Sequence, residues 1–245
     1  EAYICRMENE KHSIKTFDVI GCPEPVCNYY LKQMFAKLFF MVPAWLSIAL
    51  ERSCRFIARD NINSLNVVGL FKDYKYFLNS SPHLRFTEEE RGNGREMLEL
   101  LGVTKGASWI CIHNRDSAYL NQALPVRNWD YHNYRDFSIQ SMIKAAEELT
   151  KRGYFVIRMG SIQSEALSTS NSMIIDYASS PFRSEFGDIF LSEGCSAYIG
   201  SDSGIWTLPF IFRKPIAFVN FSFGVLDFMR RQSNYKFPVL PKQLY

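Results

Sequence analysis

Residues 197–220 read AYIGSDSGIWTLPFIFRKPIAFVN, and this stretch decides the fold. It opens on a short apolar strand, Ala197-Tyr198-Ile199, and turns at Gly200-Ser201-Asp202-Ser203-Gly204. Helical spacing runs from Gly204 to Phe212, and Ile216 to Val219 closes as a strand. Strand, turn, helix and strand in that order make one βαβ unit of a parallel sheet.

The same rhythm extends toward the N-terminus. Trp109 to Ile112 is an uninterrupted apolar run, Tyr154 to Met159 and Met173 to Tyr177 read as further strands, and none shows polar alternation, the pattern of strands buried on both faces. Between them, Ile139, Met142, Ile143, Ala146 and Leu149 line one helix face that ends before Gly153, and Ser184 to Ser192 predicts a shorter helix. Residues 114–135 read as a long polar and aromatic loop. Upstream, Thr87-Glu88-Glu89-Glu90 is a capping box and Gly102 ends its helix. Earlier still, the spacing predicts a strand end at Phe17 to Ile20, a helix within Val26 to Val42, and a second helix from Ala44 to about Ile57. It also predicts a strand at Asn66 to Phe71 and irregular chain over 72–86. The boundary falls near residue 103, giving an N-terminal domain at 1–102 and a C-terminal α/β domain at 103–245. The first is short for a full Rossmann-like domain, which predicts a reduced or truncated half.

Bulk properties narrow the function. Basic and acidic residues nearly balance, 28 against 25, so charge does not suggest a nucleic-acid partner. Cys5, Cys22, Cys27, Cys54, Cys111 and Cys195 form no C-x-x-C pair and no zinc spacing with histidine. Cys111 and Cys195 read as reduced core thiols, which fits a cytoplasmic chain. The chain begins at Glu1 rather than Met, leaving room for an upstream segment. Leu38 to Leu50 is the most apolar stretch, bracketed by Lys37 and Glu51 and broken at Pro43. It is shorter than the roughly 20 residues a bilayer needs. A buried helix pair is expected there, with a membrane-surface helix as the alternative.

Ligands of parallel sheets bind beyond the carboxyl ends of the strands, which selects the loops at 113–119, 158–164, 176–184 and 200–205. In the last, Gly200 and Gly204 let backbone approach a ligand, Ser201 and Ser203 offer hydroxyls, and the adjoining helix N-terminus favours phosphate. Asp202 is expected to cap backbone N–H groups rather than meet the anion. A plain capped turn is the competing reading of that motif. His113-Asn114-Arg115-Asp116 crowds charge onto the end of a buried strand. Arg115 is suited to fork onto a diphosphate and stabilise its departure, with Asp116 to orient it or act as base. Arg158 and Gly160 offer a second phosphate or ribose contact, with an arginine leaving the core for solvent as the alternative. Asp176 and Tyr177 are placed to meet base or ribose, whereas Ser184, Glu185 and Asp188 read as helix capping. The 117–136 loop, with Trp129, Tyr131, His132, Tyr134, Arg135 and Asp136, reads as a lid or acceptor platform. No metal-binding D-x-D, Walker lysine, G-x-G-x-x-G or G-x-S-x-G motif occurs, so no metal and no cofactor is expected.

Four segments carry a resemblance: WICIHNRDSAYL at 109–120, residues 134–160 ending in GYFVIRMG, IIDYASSPFRSEFGDIFL at 174–191, and 197–220. Together they resemble a family of bacterial glycosyltransferases, in order across a span of about half the chain. The Asp202-Ser203-Gly204 turn is similar to the D-[ST]-G-x-x-H turn of heptosyltransferases, with Thr207 where that family has histidine. His113-x-Arg115 is similar to the H-x-R motif of GDP-fucose fucosyltransferases, whose arginine serves the diphosphate. The resemblance implies the metal-independent GT-B architecture of two facing Rossmann-like domains. The donor would lie in the C-terminal half and the acceptor in the N-terminal half.

The expectation is therefore an α/β, GT-B-like glycosyltransferase of surface polysaccharide or lipopolysaccharide synthesis. It would use a nucleotide-diphosphate sugar and a glycan or lipid-linked acceptor, at the cytoplasmic face of a membrane. Arg115, Asp116 and His113 are the catalytic candidates. Arg158, Gly160, Asp176, Tyr177, Ser201, Asp202, Ser203 and Gly204 are the donor-binding ones. The rivals are a sugar-nucleotide epimerase of the same architecture and a non-catalytic sugar-nucleotide or glycan-binding module.

Overall fold

The computed structural model describes residues 1–9, 18–57, 74–221 and 238–241, which fall into two units, Glu1–Arg85 and Phe86–Tyr245. In the first unit, α1 (Ala2–Asn9) packs against α4 (Tyr74–Asn79). Strand β1 (Val19–Cys22) leads through α2 (Tyr29–Ala36) to β2 (Phe40–Pro43), which pairs with it in parallel from Val19↔Phe40 to Cys22↔Pro43. Helix α3 (Ala44–Ile57) then lies against β1, and Gly21 permits the approach because a Cβ there would collide with the Ser47 hydroxyl.

This differs from the sequence pattern in several places. The helix expected over Val26 to Val42 is short: Asn28 Oδ1 caps it by accepting from Leu31 N (2.7 Å), and it ends at Ala36. Phe40 to Pro43 is a strand, because a short run of apolar residues carries no periodicity that separates strand from helix. The buried helix pair expected across Leu38 to Leu50 is not found. Only Val42 of that stretch is buried, and Phe40, Trp45 and Ile48 are exposed. Residues 74–79, expected to be irregular, form α4. The strand expected at Asn66 to Phe71 lies outside the described residues. No helix among the described residues is long and apolar enough to cross a membrane.

The second unit begins at Phe86, ahead of α5 (Glu88–Leu100). The capping box forms as expected: Glu90 N donates to Thr87 Oγ1 (3.2 Å) and Thr87 N to Glu90 Oε2 (2.6 Å). Gly102 terminates the helix with φ +83°. Residue 103 marks that helix end, not the boundary between units, because α5 belongs to the second unit and packs on its helix α8 (Glu185–Gly194). Gly94 of α5 lies so close to Phe190 of α8 that a Cβ would fall within its ring.

The unit continues β3 (Trp109–His113), α6 (Ala118–Ala123), α7 (Ile143–Lys151), β4 (Phe155–Arg158), β5 (Ile174–Ile175), α8, β6 (Ala197–Gly200), α9 (Thr207–Ile211), β7 (Ile216–Phe221) and β8 (Val239–Pro241). All six strands are parallel, in the order β5-β4-β3-β6-β7-β8. Counted within the unit this is 3-2-1-4-5-6, the order of a Rossmann-like doubly wound sheet. Successive side chains of β3 point to opposite faces. Ile110 and Ile112 join Ala146 of α7, Val156 and Ile174 in one buried cluster. Trp109 Nε1 and Cys111 Sγ instead donate to Leu191 O of α8, at 3.0 and 3.6 Å. Cys111 and Cys195 are buried free thiols, as expected.

Three connections depart from expectation. The 114–135 loop contains α6 and a 3₁₀ turn at Asp130–Arg135. Strand β5 is only two residues long, and Tyr177 sits in a 3₁₀ turn beyond it. The helix expected from Gly204 to Phe212 is split into a 3₁₀ turn, Gly204–Trp206, and the five-residue α9. Pro209 has no N–H to support an α-turn leading up to it.

Candidate functional site

A doubly wound sheet opens a crevice where the strand order reverses. Here that point lies between β3 and β6, whose ends are in register at His113↔Gly200. The two loops leaving it are the Asn114-Arg115-Asp116 segment and the Ser201-to-Gly204 turn. The approach is tight: a Cβ on Gly200 would come within 2.8 Å of His113 O and 2.7 Å of the Tyr198 hydroxyl. Gly200 is therefore required by the strand pair itself rather than by a ligand. Beside Gly204 the space is open. Arg115 N donates to Ser201 Oγ at 3.1 Å and ties the two loops together.

Arg115 lies buried in this crevice. Its Nη1 donates to His132 O (3.0 Å) and pairs with Asp136 Oδ1. Its Nη2 is buried with no hydrogen-bond partner among the described residues. Burial pushes the guanidinium below its ordinary pKa. Asp136 and Asp202 work against that shift and Arg135 adds to it. Burial likewise raises Asp136, and Arg115 opposes the rise.

Arg135 is the second guanidinium. Its Nη1 donates to Asp202 O (3.2 Å) and stands 3.7 Å from Asp202 Oδ2. Its Nε is buried and has no partner among the described residues. Asn220 Nδ2 holds the Arg135 carbonyl at 2.9 Å, and Asn114 Nδ2 holds Phe137 O at 2.9 Å. The 132–137 segment is thus fastened to the ends of β3, β6 and β7. Trp129 stacks on His132 with ring centroids 5.9 Å apart. Burial, then Arg135 and Arg115, lower the pKa of His132.

His113 is buried, and its Nδ1 lies 2.9 Å from Met159 O. A carbonyl only accepts, so Nδ1 carries the proton and Nε2 the lone pair. Burial lowers its pKa to about 4, with Arg158 and Arg115 adding to the shift.

Other sequence candidates are placed differently from their expected roles. Arg158 is fully buried, and both of its Nη nitrogens are occupied within the fold, while its Nε has no partner among the described residues. Nη1 donates to Glu165 O (2.7 Å) and Asp176 Oδ2 (3.3 Å), and Nη2 to Gln163 Oε1 (2.8 Å) and Asn114 Oδ1 (3.2 Å). It follows neither of its two expectations, because four acceptors inside the fold replace solvent. Asp116 does not orient Arg115: its oxygens accept from Ala118 N (2.9 Å) and Ser164 N (3.1 Å), while Asp136 takes that place. Gly160 adopts φ +145°, and a Cβ there would strike Gln163, so it serves the loop that holds Arg158. Asp176 binds Arg158 and Leu167 N (2.9 Å). Tyr177 is completely buried, its hydroxyl donating to Ser184 O and accepting from Ser184 N, both at 2.9 Å. The Ser201 hydroxyl accepts from Arg115 N, and the Ser203 oxygen is buried beside the Tyr198 phenol with no hydrogen-bond partner among the described residues. Ser184 does cap α8, accepting from Gly187 N at 3.0 Å.

The crevice therefore gathers His113, Arg115, Asp202, Gly204, Arg135 and Asp136. Arg135 and Asp136 were legible only as members of a lid. The signal available was that Arg135-Asp136 repeats the charged dipeptide Arg115-Asp116. No family model matches the chain, and neither do curated proteins or solved structures.

Proposed function

We propose that the second unit binds the nucleoside diphosphate of a sugar donor, and that the chain is a GT-B-type glycosyltransferase acting on a glycan or lipid-linked acceptor. The carrying observation is the buried Arg115 and the half-buried Arg135 at the switch point, each with a buried N–H that no described residue accepts. A buried donor left unmatched costs about 1–3 kcal/mol, and an anion placed between the β3 and β6 loops would satisfy both. A guanidinium keeps its charge and forks onto paired oxygens, which suits a diphosphate.

In the transfer, the bond from the anomeric carbon to the diphosphate oxygen breaks and its electron pair leaves with the nucleoside diphosphate. A bond to the acceptor oxygen forms, and the acceptor proton passes to a base. Arg115 and Arg135 would neutralise the charge that develops on the leaving group. Asp136 would hold Arg115 in place for that work. His113, neutral above about pH 4, offers a lone pair on Nε2 at the same strand end. The acceptor would belong to the first unit, whose β1-α2-β2-α3 order repeats the parallel motif.

A thermal-shift panel of UDP, GDP, ADP and CMP and their sugar derivatives tests this reading. A ligand at about 100 times its dissociation constant stabilises by roughly 2.7 kcal/mol. A stabilising nucleotide that loses its effect in Arg115→Ala supports the proposal; no stabilisation by any of them refutes it. Release of nucleoside diphosphate in the presence of acceptor glycans separates a transferase from a binding module.

A further inference from the structure

We propose a second site, independent of the first: Glu1, Cys5 and His83 form a zinc-type metal centre within the N-terminal unit. The Glu1 carboxylate, the Cys5 thiol and a ring nitrogen of His83 lie within 4.8 Å of one another. Ligands on one tetrahedral zinc, with bonds of about 2.0–2.3 Å, stand about 3.5 Å apart, so small side-chain movements close the site. All three are sheltered. Cys5 is 0% exposed, and the Glu1 and His83 side chains are 4% and 17% exposed.

Helical geometry assembles the first two ligands. Cys5 comes four residues after Glu1 and Glu8 three residues after Cys5, so all three occupy one face of the α1 segment. His83 arrives from the far end of the unit, 82 residues from Glu1. Its Nδ1 is 3.0 Å from Glu1 Oε1, and its Nε2 is 2.9 Å from Glu8 Oε1. A metal-bound histidine characteristically gives its other N–H to a carboxylate, which fixes the ring and makes the bound nitrogen more basic. Glu8 supplies that carboxylate, and the metal takes the place of the proton on Nδ1.

The donor set selects the ion. Sulfur with imidazole nitrogen suits zinc and related transition metals, whereas calcium and magnesium take oxygen ligands. One thiolate and one carboxylate also neutralise a divalent ion, so the sheltered site carries no net charge. The fourth corner of the tetrahedron is left to water or a further ligand. Such a centre would clamp α1 to the segment after α4. The pattern escapes sequence reading because the histidine is distant in the chain and no C-x-x-C or H-x-x-x-H spacing announces it.

Cobalt titration of the chelator-treated chain, kept reduced without thiols, tests the proposal. The expected result is one Co²⁺ per chain, with a thiolate-to-cobalt charge-transfer band and strong tetrahedral visible bands, both displaced by Zn²⁺. Cys5→Ser abolishes the charge-transfer band, while Cys27→Ser and Cys54→Ser, at exposed cysteines, keep it. Glu8→Gln keeps the band and weakens affinity by about 10–100-fold. Glu8 is 55% exposed, so this variant reports even where Cys5→Ser fails to fold. Absence of the band in the unmodified chain, its survival in Cys5→Ser, or unaltered affinity in Glu8→Gln overturns the assignment. A His83 ring hydrogen-bonded between Glu1 and Glu8 with no metal would then account for the cluster.

Discussion

The backbone N–H of Arg115 donates to Ser201 Oγ over 3.1 Å, and this bond joins the loop after β3 to the turn after β6 where the strand order reverses. It positions Arg115 by its main chain while Asp136 and the His132 carbonyl hold the guanidinium. Ser201 is fully buried, and its oxygen places the Arg115 main chain. Ser201→Ala removes the acceptor and leaves a buried N–H unmatched. A loss of about 1–3 kcal/mol in stability is expected from urea unfolding. Weaker stabilisation by nucleotide should accompany it, and unchanged nucleotide response would show that the two loops bind nothing jointly.

Arg115→Lys separates charge from shape. Lysine keeps the positive charge but presents a single ammonium instead of a planar fork. The variant should lose most of the nucleotide-induced thermal shift. Asp136→Asn leaves Arg115 without its counter-charge. Asp136 is 23% exposed, so the expected destabilisation lies toward the lower end of the roughly 3–5 kcal/mol for breaking a buried pair. If Arg115→Lys binds a nucleotide as tightly as the unaltered chain, the fork is not part of recognition.

Arg158→Met should behave in the opposite manner. Four acceptors, from Asn114, Gln163, Glu165 and Asp176, converge on this side chain. Its removal strips the β4 loop of its anchor and leaves Asp176 without its guanidinium. Destabilisation of about 3–5 kcal/mol is expected by chemical denaturation. A stably folded Arg158→Met that has lost only nucleotide binding would restore the phosphate role that its strand-end position suggests.

The contrast between these arginines shows what a linear sequence can convey. Trp109 to Ile112 and Ala197 to Ile199 were legible because strands buried on both faces leave uninterrupted apolar runs. Parallel pairing followed from the helices between them. Thr87 to Glu90 was legible because a capping box is local. Phe40 to Pro43 was not, since four residues are too few to show a period. Position at a strand end is likewise the same for Arg115 and Arg158. Which guanidinium folds inward depends on acceptors such as Glu165 O and Gln163, set by loop geometry that no spacing rule encodes. Asp136 meets Arg115 across 21 residues that pass through two separate short helical segments, beyond the reach of helical or strand periodicity.

Two glycines of one helix make a sharper test of packing between α5 and α8. Alanine is preferred over glycine within a helix by about 1 kcal/mol. At Gly92 nothing lies within 4 Å of an added Cβ, so Gly92→Ala should stabilise by about 0.5–1 kcal/mol. At Gly94 the same Cβ falls into the Phe190 ring. Overpacking there should reverse the sign, to a loss of about 1–3 kcal/mol. Calorimetry on the two variants distinguishes the outcomes; stabilisation by both would mean that α5 does not seat on α8.

The pH dependence of stability should conceal two opposed contributions within the second unit. His113 titrates near 4 in the fold against an ordinary 6.5, because burial disfavours the imidazolium. Between those values the unfolded chain holds more protons, so this residue makes stability fall as pH falls. The slope is about 1.4 kcal/mol per pH unit, for a total of about 3 kcal/mol. Asp188 is buried and raised to about 6 against 3.8, with Arg183, 2.6 Å away, holding the shift down. Its raised value makes the fold the better proton binder, so its contribution is complete below pH 3.8 and is lost as pH rises through 6. Between about pH 4 and 6 the two slopes are of similar size and opposite sign. Relative to the unaltered chain, Asp188→Asn should lose about 1.4 kcal/mol of stability for each unit of falling pH across that window. His113→Gln should gain a similar amount relative to the same reference. Denaturation at several pH values reads the differences, and parallel profiles for all three proteins would show that neither group is held in its shifted state by the fold.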